Sequence, residues 1–152
     1  MSPAVGVVVP AYQPDVDRLA DYVEALHDAL DDASLRIELE APDPGVEAAL
    51  GDLPADVNAV AERRGKGRAI TAGFEALETD VLAFADADGS TPVTSVVDVI
   101  TPVLEGNADL AAGSRRHPDA EVATHQTLGR RYMGDGFAWL ARRLLDEGLY
   151  DY

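Results

Sequence analysis

The 152-residue chain has no cysteine. That absence excludes a disulfide scaffold, a zinc–thiolate site and a thiol nucleophile. Basic residues are scarce: 12 Lys+Arg stand against 28 Asp+Glu, for a formal net charge of −16. A surface this acidic argues against nucleic acid as a partner, because phosphate backbones are gripped through a basic footprint. Long apolar runs are missing too, and none approaches the ~18 consecutive residues of a membrane span. Met1-Ser2-Pro3 carries no basic segment, so the N-terminus does not read as a signal peptide.

What is present suffices for one folded domain. Apolar residues make up 47% of the chain, enough for a core, and the expectation is a single domain over residues 1–152. Of the 12 basic residues only Lys66 is a lysine. Acidic excess with lysine scarcity reads as a cytoplasmic protein of an extreme halophile. Carboxylates hold water and cations in molar salt, where their mutual repulsion is screened. The acidity is then a solvent adaptation and says little about a ligand.

Apolar runs alternate with helical patterns. Val5–Val9 is short and β-branched and reads as a buried strand ending at Pro10. Leu19, Val23, Leu26 and Leu30 mark one face of a helix capped by Asp15. Leu35–Leu39 alternates as a second strand; a turn at Asp43-Pro44-Gly45, a short helix from Val46 to Leu50 and a weaker strand from Val57 to Ala61 follow. A helix after Gly67 carries Ile70, Phe74 and Leu77, and Val81–Ala85 is the next strand. Thr91-Pro92 reads as a cap with proline at the first helical position, ahead of an apolar face of Val93, Val96, Val97, Ile100 and Leu104. Asp109–Ala112 reads as a strand, His117–Thr127 as loop, and Leu128–Asp146 as a last helix. Such alternation predicts an α/β fold with a mostly parallel sheet. In these sheets ligands sit beyond the carboxyl ends of the strands, where Pro10–Asp15, Asp86–Thr91 and Gly113–Arg116 fall.

Two constellations carry chemistry. Asp86-Ala87-Asp88-Gly89 places two carboxylates at a strand end, a donor set that suits Mg²⁺ or Mn²⁺ sharing its shell with substrate phosphates. The alternative is a solvated acidic turn. An EF-hand is excluded, because Val97 stands where that loop needs its bidentate Glu. The second is Arg63-Arg64-Gly65-Lys66-Gly67-Arg68, a glycine-rich basic loop opening a helix, where backbone amides and cations both attract phosphate. Gly67 after Lys66 excludes a phosphate-binding loop of the Walker type, and Ile70 in place of a third glycine excludes a dinucleotide fingerprint. The alternative is a basic turn balancing local acids. Gly113-Ser114-Arg115-Arg116 and Arg130-Arg131 are weaker phosphate candidates. The three histidines have no metal-ligand spacing, and no Gly-x-Ser-x-Gly elbow is present.

The order of these segments resembles family 2 glycosyltransferases of the GT-A fold, and within them the polyprenyl-phosphate (dolichyl-phosphate) hexose synthases. The segments that carry the resemblance are Val7–Pro14, Glu62–Phe74, Val81–Thr91, Ala108–Arg116 and Arg130–Leu145. It implies a Rossmann-like three-layer sandwich and an inverting transfer of a hexose from a nucleotide-sugar to polyprenyl phosphate. Pro10, Ala11 and Tyr12 would sit under the base and ribose. Gly65, Lys66 and Gly67 would line the nucleotide pocket. Asp86 and Ala87 would meet the nucleotide-sugar, and Asp88 would ligate Mg²⁺ or Mn²⁺ at the diphosphate. Arg115 and Arg131 would lie near the diphosphate or the acceptor phosphate. The wording of Asp86–Thr91 favours UDP-glucose over GDP-mannose as donor.

The chain also departs from that pattern. Where the family has two aspartates and Gly-Ser after the second strand, this chain has Glu40-Ala41-Pro42-Asp43-Pro44-Gly45, and only Asp43 stands in. The chain ends at Tyr152, where the family continues, so the expectation is that the C-terminal acceptor part is lacking, with any membrane-surface attachment it provides. The implied location is the cytoplasm, at the cytoplasmic face of the membrane. A nucleotidyltransferase of similar fold is a rival, but its basic glycine loop belongs near the first strand, and Pro10–Asp15 has neither glycine nor basic residue. A non-catalytic nucleotide-sugar-binding or partner-binding fragment is the other.

Overall fold

The structure is a computed structural model and describes residues 3–113. Residues up to Ala111 form a compact unit of their own. Its elements are β1 (Val5–Tyr12), α1 (Val16–Ala29), β2 (Ser34–Glu40), α2 (Val46–Leu50), β3 (Asp56–Val60), α3 (Lys66–Ala76), β4 (Val81–Phe84) and α4 (Val93–Leu104). The strands pair in parallel in the order β3-β2-β1-β4. This is the α/β class with the parallel sheet that the sequence predicts. The chain adds β2 and β3 on one side of β1 and then returns to the other side with β4. The carboxyl ends of β1 and β4 therefore flank a topological switch point, the place where such sheets bind ligands.

Strand alternation sorts the two faces. On one face Val5, Val7, Val9 and Ala11 of β1 and Leu35, Ile37 and Leu39 of β2 join the core with Leu19, Val23 and Leu26 of α1 and Val96 and Ile100 of α4. The Asp15 carboxylate accepts the Arg18 N–H at 3.2 Å and caps α1, as its position before the apolar stripe predicts. On the other face α3 packs across β1 and β2. The close approach is at Gly73, where a Cβ would stand 2.6 Å from both Val8 methyl groups. The result is three layers.

Three expectations differ from what is found. β1 runs on through Pro10 to Tyr12. The carbonyl of Val8 accepts Ala85 N–H on the β4 side, and the pairing with β4 ends there. Alternation turns Pro10 to that same side, one step past the last rung, so its missing N–H costs no ladder bond. Pro92 is the N-cap of α4 rather than its first helical residue: its ψ of 142° is extended, and its carbonyl accepts from Ser95 and Val96. Asp109–Ala112 is irregular, with Leu110 79% exposed. A strand there needs a ladder, and the outer edge of β4 has no partner among the described residues. The expected loop His117–Thr127 and helix Leu128–Asp146 lie outside the described residues. No described helix is long and apolar enough to cross a membrane.

Gly73 makes a direct test of the α3–β1 contact. Alanine raises helix propensity by up to ~1 kcal/mol. Its methyl collides with Val8, whose branched side chain is fixed in the core, at a cost of about 1–3 kcal/mol. Gly73→Ala is expected to lower the urea midpoint; a raised midpoint would show that the helix has room to lift.

Candidate active site

The α3 face of the sheet carries an unusual set of side chains. Arg36, Glu38 and Glu40 alternate with the core leucines of β2, yet Glu38 is 0% and Glu40 3% exposed. Glu38 accepts hydrogen bonds from Arg36 Nε at 2.7 Å, Asn58 Nδ2 at 2.8 Å and an Arg64 terminal nitrogen at 2.8 Å. Burial pushes its carboxyl pKa up, but these bonds and the Arg36 charge outweigh that and hold it below the ordinary value. Arg36 also pairs with Asp56. Glu40, on the last rung opposite Tyr12 and Val60, accepts the backbone N–H of Arg64 and of Gly65, each at 3.1 Å, and Arg64 Nε at 3.4 Å.

The two backbone bonds to Glu40 fix the basic loop. Gly65 has φ +93°, a conformation that favours glycine, and α3 starts at the next residue. Lys66 Nζ then lies 2.5 Å from Asp86 Oδ1 and 5.5 Å from the centroid of the Phe84 ring. The Arg63 guanidinium lies 4.2 Å over the Tyr12 ring. Pro10, Ala11, Tyr12, Glu40, Arg63 and Lys66 line a cavity of about 180 Å³ at this end of the sheet. Ala41 and Gln13, just past the ends of β2 and β1, both take left-handed backbone, with φ 44° and 46°. Such strain concentrates at functional ends of strands.

The Asp86–Thr91 loop faces the cavity residues across the switch point. Asp88 Oδ1 accepts the Ser90 N–H at 2.9 Å, a local turn. From α1 the Tyr22 hydroxyl donates to the Thr91 carbonyl at 2.8 Å and braces the loop from below. Burial, with the charges of Asp86 and Asp88, pushes the Tyr22 phenol up to about 12. Asp86 and Asp88 offer hard carboxylate oxygens of the kind Mg²⁺ or Mn²⁺ shares with phosphates. Among the described residues no cluster of three or more metal-ligating side chains is assembled.

Of the expected site residues, Pro10, Ala11, Tyr12 and Lys66 share the cavity, and the Lys66–Asp86 pair ties it to the Asp86-Ala87-Asp88 loop. Gly65 and Gly67 flank Lys66, and a Cβ at Gly67 would meet nothing within 4 Å, so no packing in the described chain requires glycine there. Asp43 lies in an exposed turn, its carbonyl accepting Val46 N–H, and does not line the cavity. Arg115 and Arg131 lie outside the described residues. Arg63, which sequence reasoning placed in the basic loop without a role of its own, lines the cavity; sequence reasoning missed Glu40 and Tyr22. Only Glu40 carried a signal, as a carboxylate at the end of an alternating strand. A larger open concavity of about 610 Å³ lies beside α2 and β3, and no cation lines it.

Against this geometry, residues 7–146 match glycosyl transferase family 2. The chain belongs to that family. No curated protein matches it. Among solved structures it is similar to a mannosyltransferase from Pyrobaculum calidifontis in complex with GDP-Man and Mn²⁺, at 24% identity and a TM-score of 0.45. That likeness covers 58% of this chain and 28% of the mannosyltransferase. The family match spans both the basic loop and the Asp86–Asp88 loop of this family 2 domain.

Two of its buried groups make distinct pH predictions. Tyr22 is folded as a neutral phenol with its pKa raised from 10.0 to about 12. Its contribution is complete below pH 10 and is lost between 10 and 12, as the unfolded phenol ionises first. Alkaline absorbance titration is expected to show one of the five tyrosines lagging, and Tyr22→Phe should remove that component. Glu38 runs the other way: its depressed pKa gives stability that is present above the ordinary value of 4.5 and lost as pH falls through it. Glu38→Gln should cost ~2 kcal/mol at neutral pH, the scale of a charged hydrogen bond, and should flatten the acid limb of the stability profile. An unchanged acid limb would remove Glu38 from that account.

Proposed function

We propose that this family 2 domain binds a nucleotide-sugar with its diphosphate between Lys66 and the Asp86–Asp88 loop, and that the protein transfers the hexose, with inversion, to polyprenyl or dolichyl phosphate. The observation that carries the reading is the meeting of Lys66 with Asp86 at the switch point, beside the cavity lined by Pro10–Tyr12. Three segments far apart in the chain converge there, each at a strand or helix end where phosphate binding is favoured. Family membership supports glycosyl transfer as the chemistry. The acceptor and the preference for UDP-glucose over GDP-mannose rest on the sequence resemblance to the polyprenyl-phosphate hexose synthases.

The chain's own residues have simple tasks in this reading. Tyr12, with Arg63 over its ring, offers a flat polar-edged surface for the nucleoside. Lys66 meets the diphosphate as a compact point charge, and the N-terminal end of α3 adds its partial positive charge. Asp88, with Asp86 beside it, would hold Mg²⁺ or Mn²⁺, which supplies charge neutralisation for the departing diphosphate. Tyr22 keeps that loop in place through Thr91. An anionic acceptor phosphate arrives deprotonated, so the site needs no strong general base. Rate then comes from positioning and from electrostatic stabilisation of the leaving group. Arg115 and Arg131 are the proposed partners of the acceptor or donor phosphate. We place this work at the cytoplasmic face of a membrane, in the molar salt that the acidic, lysine-poor composition suits.

Calorimetric titration in molar KCl, with UDP-glucose and GDP-mannose, each with and without Mn²⁺, tests the reading. One donor is expected to bind only with the metal, and Asp88→Ala should abolish that metal-dependent binding. Binding that is unchanged in Asp88→Ala would remove Asp88 as the ligand. Absence of binding by either donor would favour a non-catalytic partner-binding role. Donor binding without turnover of polyprenyl phosphate would confine the chain to the donor half of the reaction.

A further inference from the structure

The basic loop is held by something other than its own glycines. Glu40 is 3% exposed at the carboxyl end of β2, and its two oxygens are committed separately. Oε1 accepts Arg64 N–H and Oε2 accepts Gly65 N–H, both at 3.1 Å. Those amides belong to the last two residues before α3. The anion that fills them is the protein's own carboxylate, so these two amides are already committed, and the loop's side-chain cations stand beside the start of α3. The cations sit on either side of the anchored residues: Arg63, over Tyr12, comes just before, and Lys66, against Asp86, just after.

We propose that Glu40 is a positioning residue of the donor site: by gripping two consecutive amides it sets the register of the loop, and so presents Lys66 to Asp86 and Arg63 to Tyr12. A loop displaced by one residue in either direction would lose this pair of bonds, and Gly65 would no longer stand at the position whose φ of +93° favours glycine. Glu38, two residues earlier on the same face, differs in kind. It accepts only side-chain donors, from Arg36, Asn58 and Arg64. It neutralises charge beneath the loop without holding the backbone. The consequence for donor affinity rests on the nucleotide-sugar reading above; the consequence for the loop does not.

The test compares Glu40→Gln with Glu38→Gln in the full 152-residue chain. Glutamine keeps the size of the side chain but turns an NH₂ toward one of the two amides, where it cannot accept. In ligand-free protein followed by NMR, Glu40→Gln is expected to move the Gly65 or Arg64 amide proton upfield and the Lys66 side-chain signals toward those of a free lysine. With Mn²⁺ and whichever donor the wild type binds, its Kd should rise about tenfold, equivalent to ~1.4 kcal/mol. Glu38→Gln should lower the urea midpoint while leaving the Lys66 signals in place and Kd within about twofold, well inside that tenfold step. Amides that move while Lys66 stays paired would overturn the proposal, leaving Glu40 as a brace for the turn alone. An unchanged Kd in Glu40→Gln, or equal losses of affinity in the two variants, would overturn it as well. A wild type that binds neither donor refutes the nucleotide-sugar reading, and the ligand-free Lys66 signals still decide the role of Glu40. Glu40→Asp keeps the charge and withdraws the oxygens by one methylene; it carries the same readings should Glu40→Gln fail to fold.

Discussion

Two carboxylates buried on an interior strand constrain this molecule more than any apolar contact does. β2 lies between β1 and β3, and Glu38 and Glu40 project from it on the face opposite the leucine core. An unpaired carboxylate there would cost several kcal/mol. Partners must come from outside the strand as well as from within it, and they do: Arg36 from β2, Asn58 from β3, Arg64 from the loop beyond. Among the described residues no buried side-chain nitrogen or oxygen lacks a partner. The position of the basic loop is thus a condition for burying β2.

That condition also explains the division of labour between arginine and lysine. Arg64 reaches Glu38 with a terminal nitrogen and Glu40 with Nε, which needs the guanidinium fork; an ammonium on a flexible stem cannot make both contacts in fixed geometry. Lys66, two residues on, meets a single exposed carboxylate. The one lysine of the chain stands where a point charge is used, and the arginine beside it stands where a fork is used. The contrast noted in the composition becomes legible only once both partners are seen.

The parts of the fold that depend on local chemistry were readable from sequence. The α1 stripe and its Asp15 cap, the Val46–Leu50 helix and the alternation of β2 all follow from residues within a few positions of one another. What misled was tertiary. Pro10 reads as the end of a strand because a missing donor normally breaks a ladder; that it falls one step past the β4 pairing cannot be seen from β1 alone. The alternation of β2 says that Glu38 and Glu40 share a face and not what covers it. Asp43 drew attention to the family's aspartate position, whereas the carboxylate lining the cavity is Glu40, three residues earlier and still on the strand.

The two kinds of ion pair respond oppositely to their surroundings, and this bears on how such a site works in strong salt. The Lys66–Asp86 pair is about half exposed on both sides, with side chains 55% and 45% accessible. Exposed pairs contribute at most ~1 kcal/mol, and in molar salt the screening length shrinks to about 3 Å. Parting this pair costs little, so under the proposed nucleotide-sugar reading an incoming diphosphate would claim the lysine while a cation claims the aspartate. Glu38 and Glu40 are shielded from bulk ions by burial, and the Arg64 side chain between them is 29% exposed, less than either member of the surface pair. The buried Glu40 carboxylate holds the loop backbone, while the exposed surface pair leaves its lysine available. Had the loop been fixed by exposed pairs instead, molar salt would screen them and loosen the site.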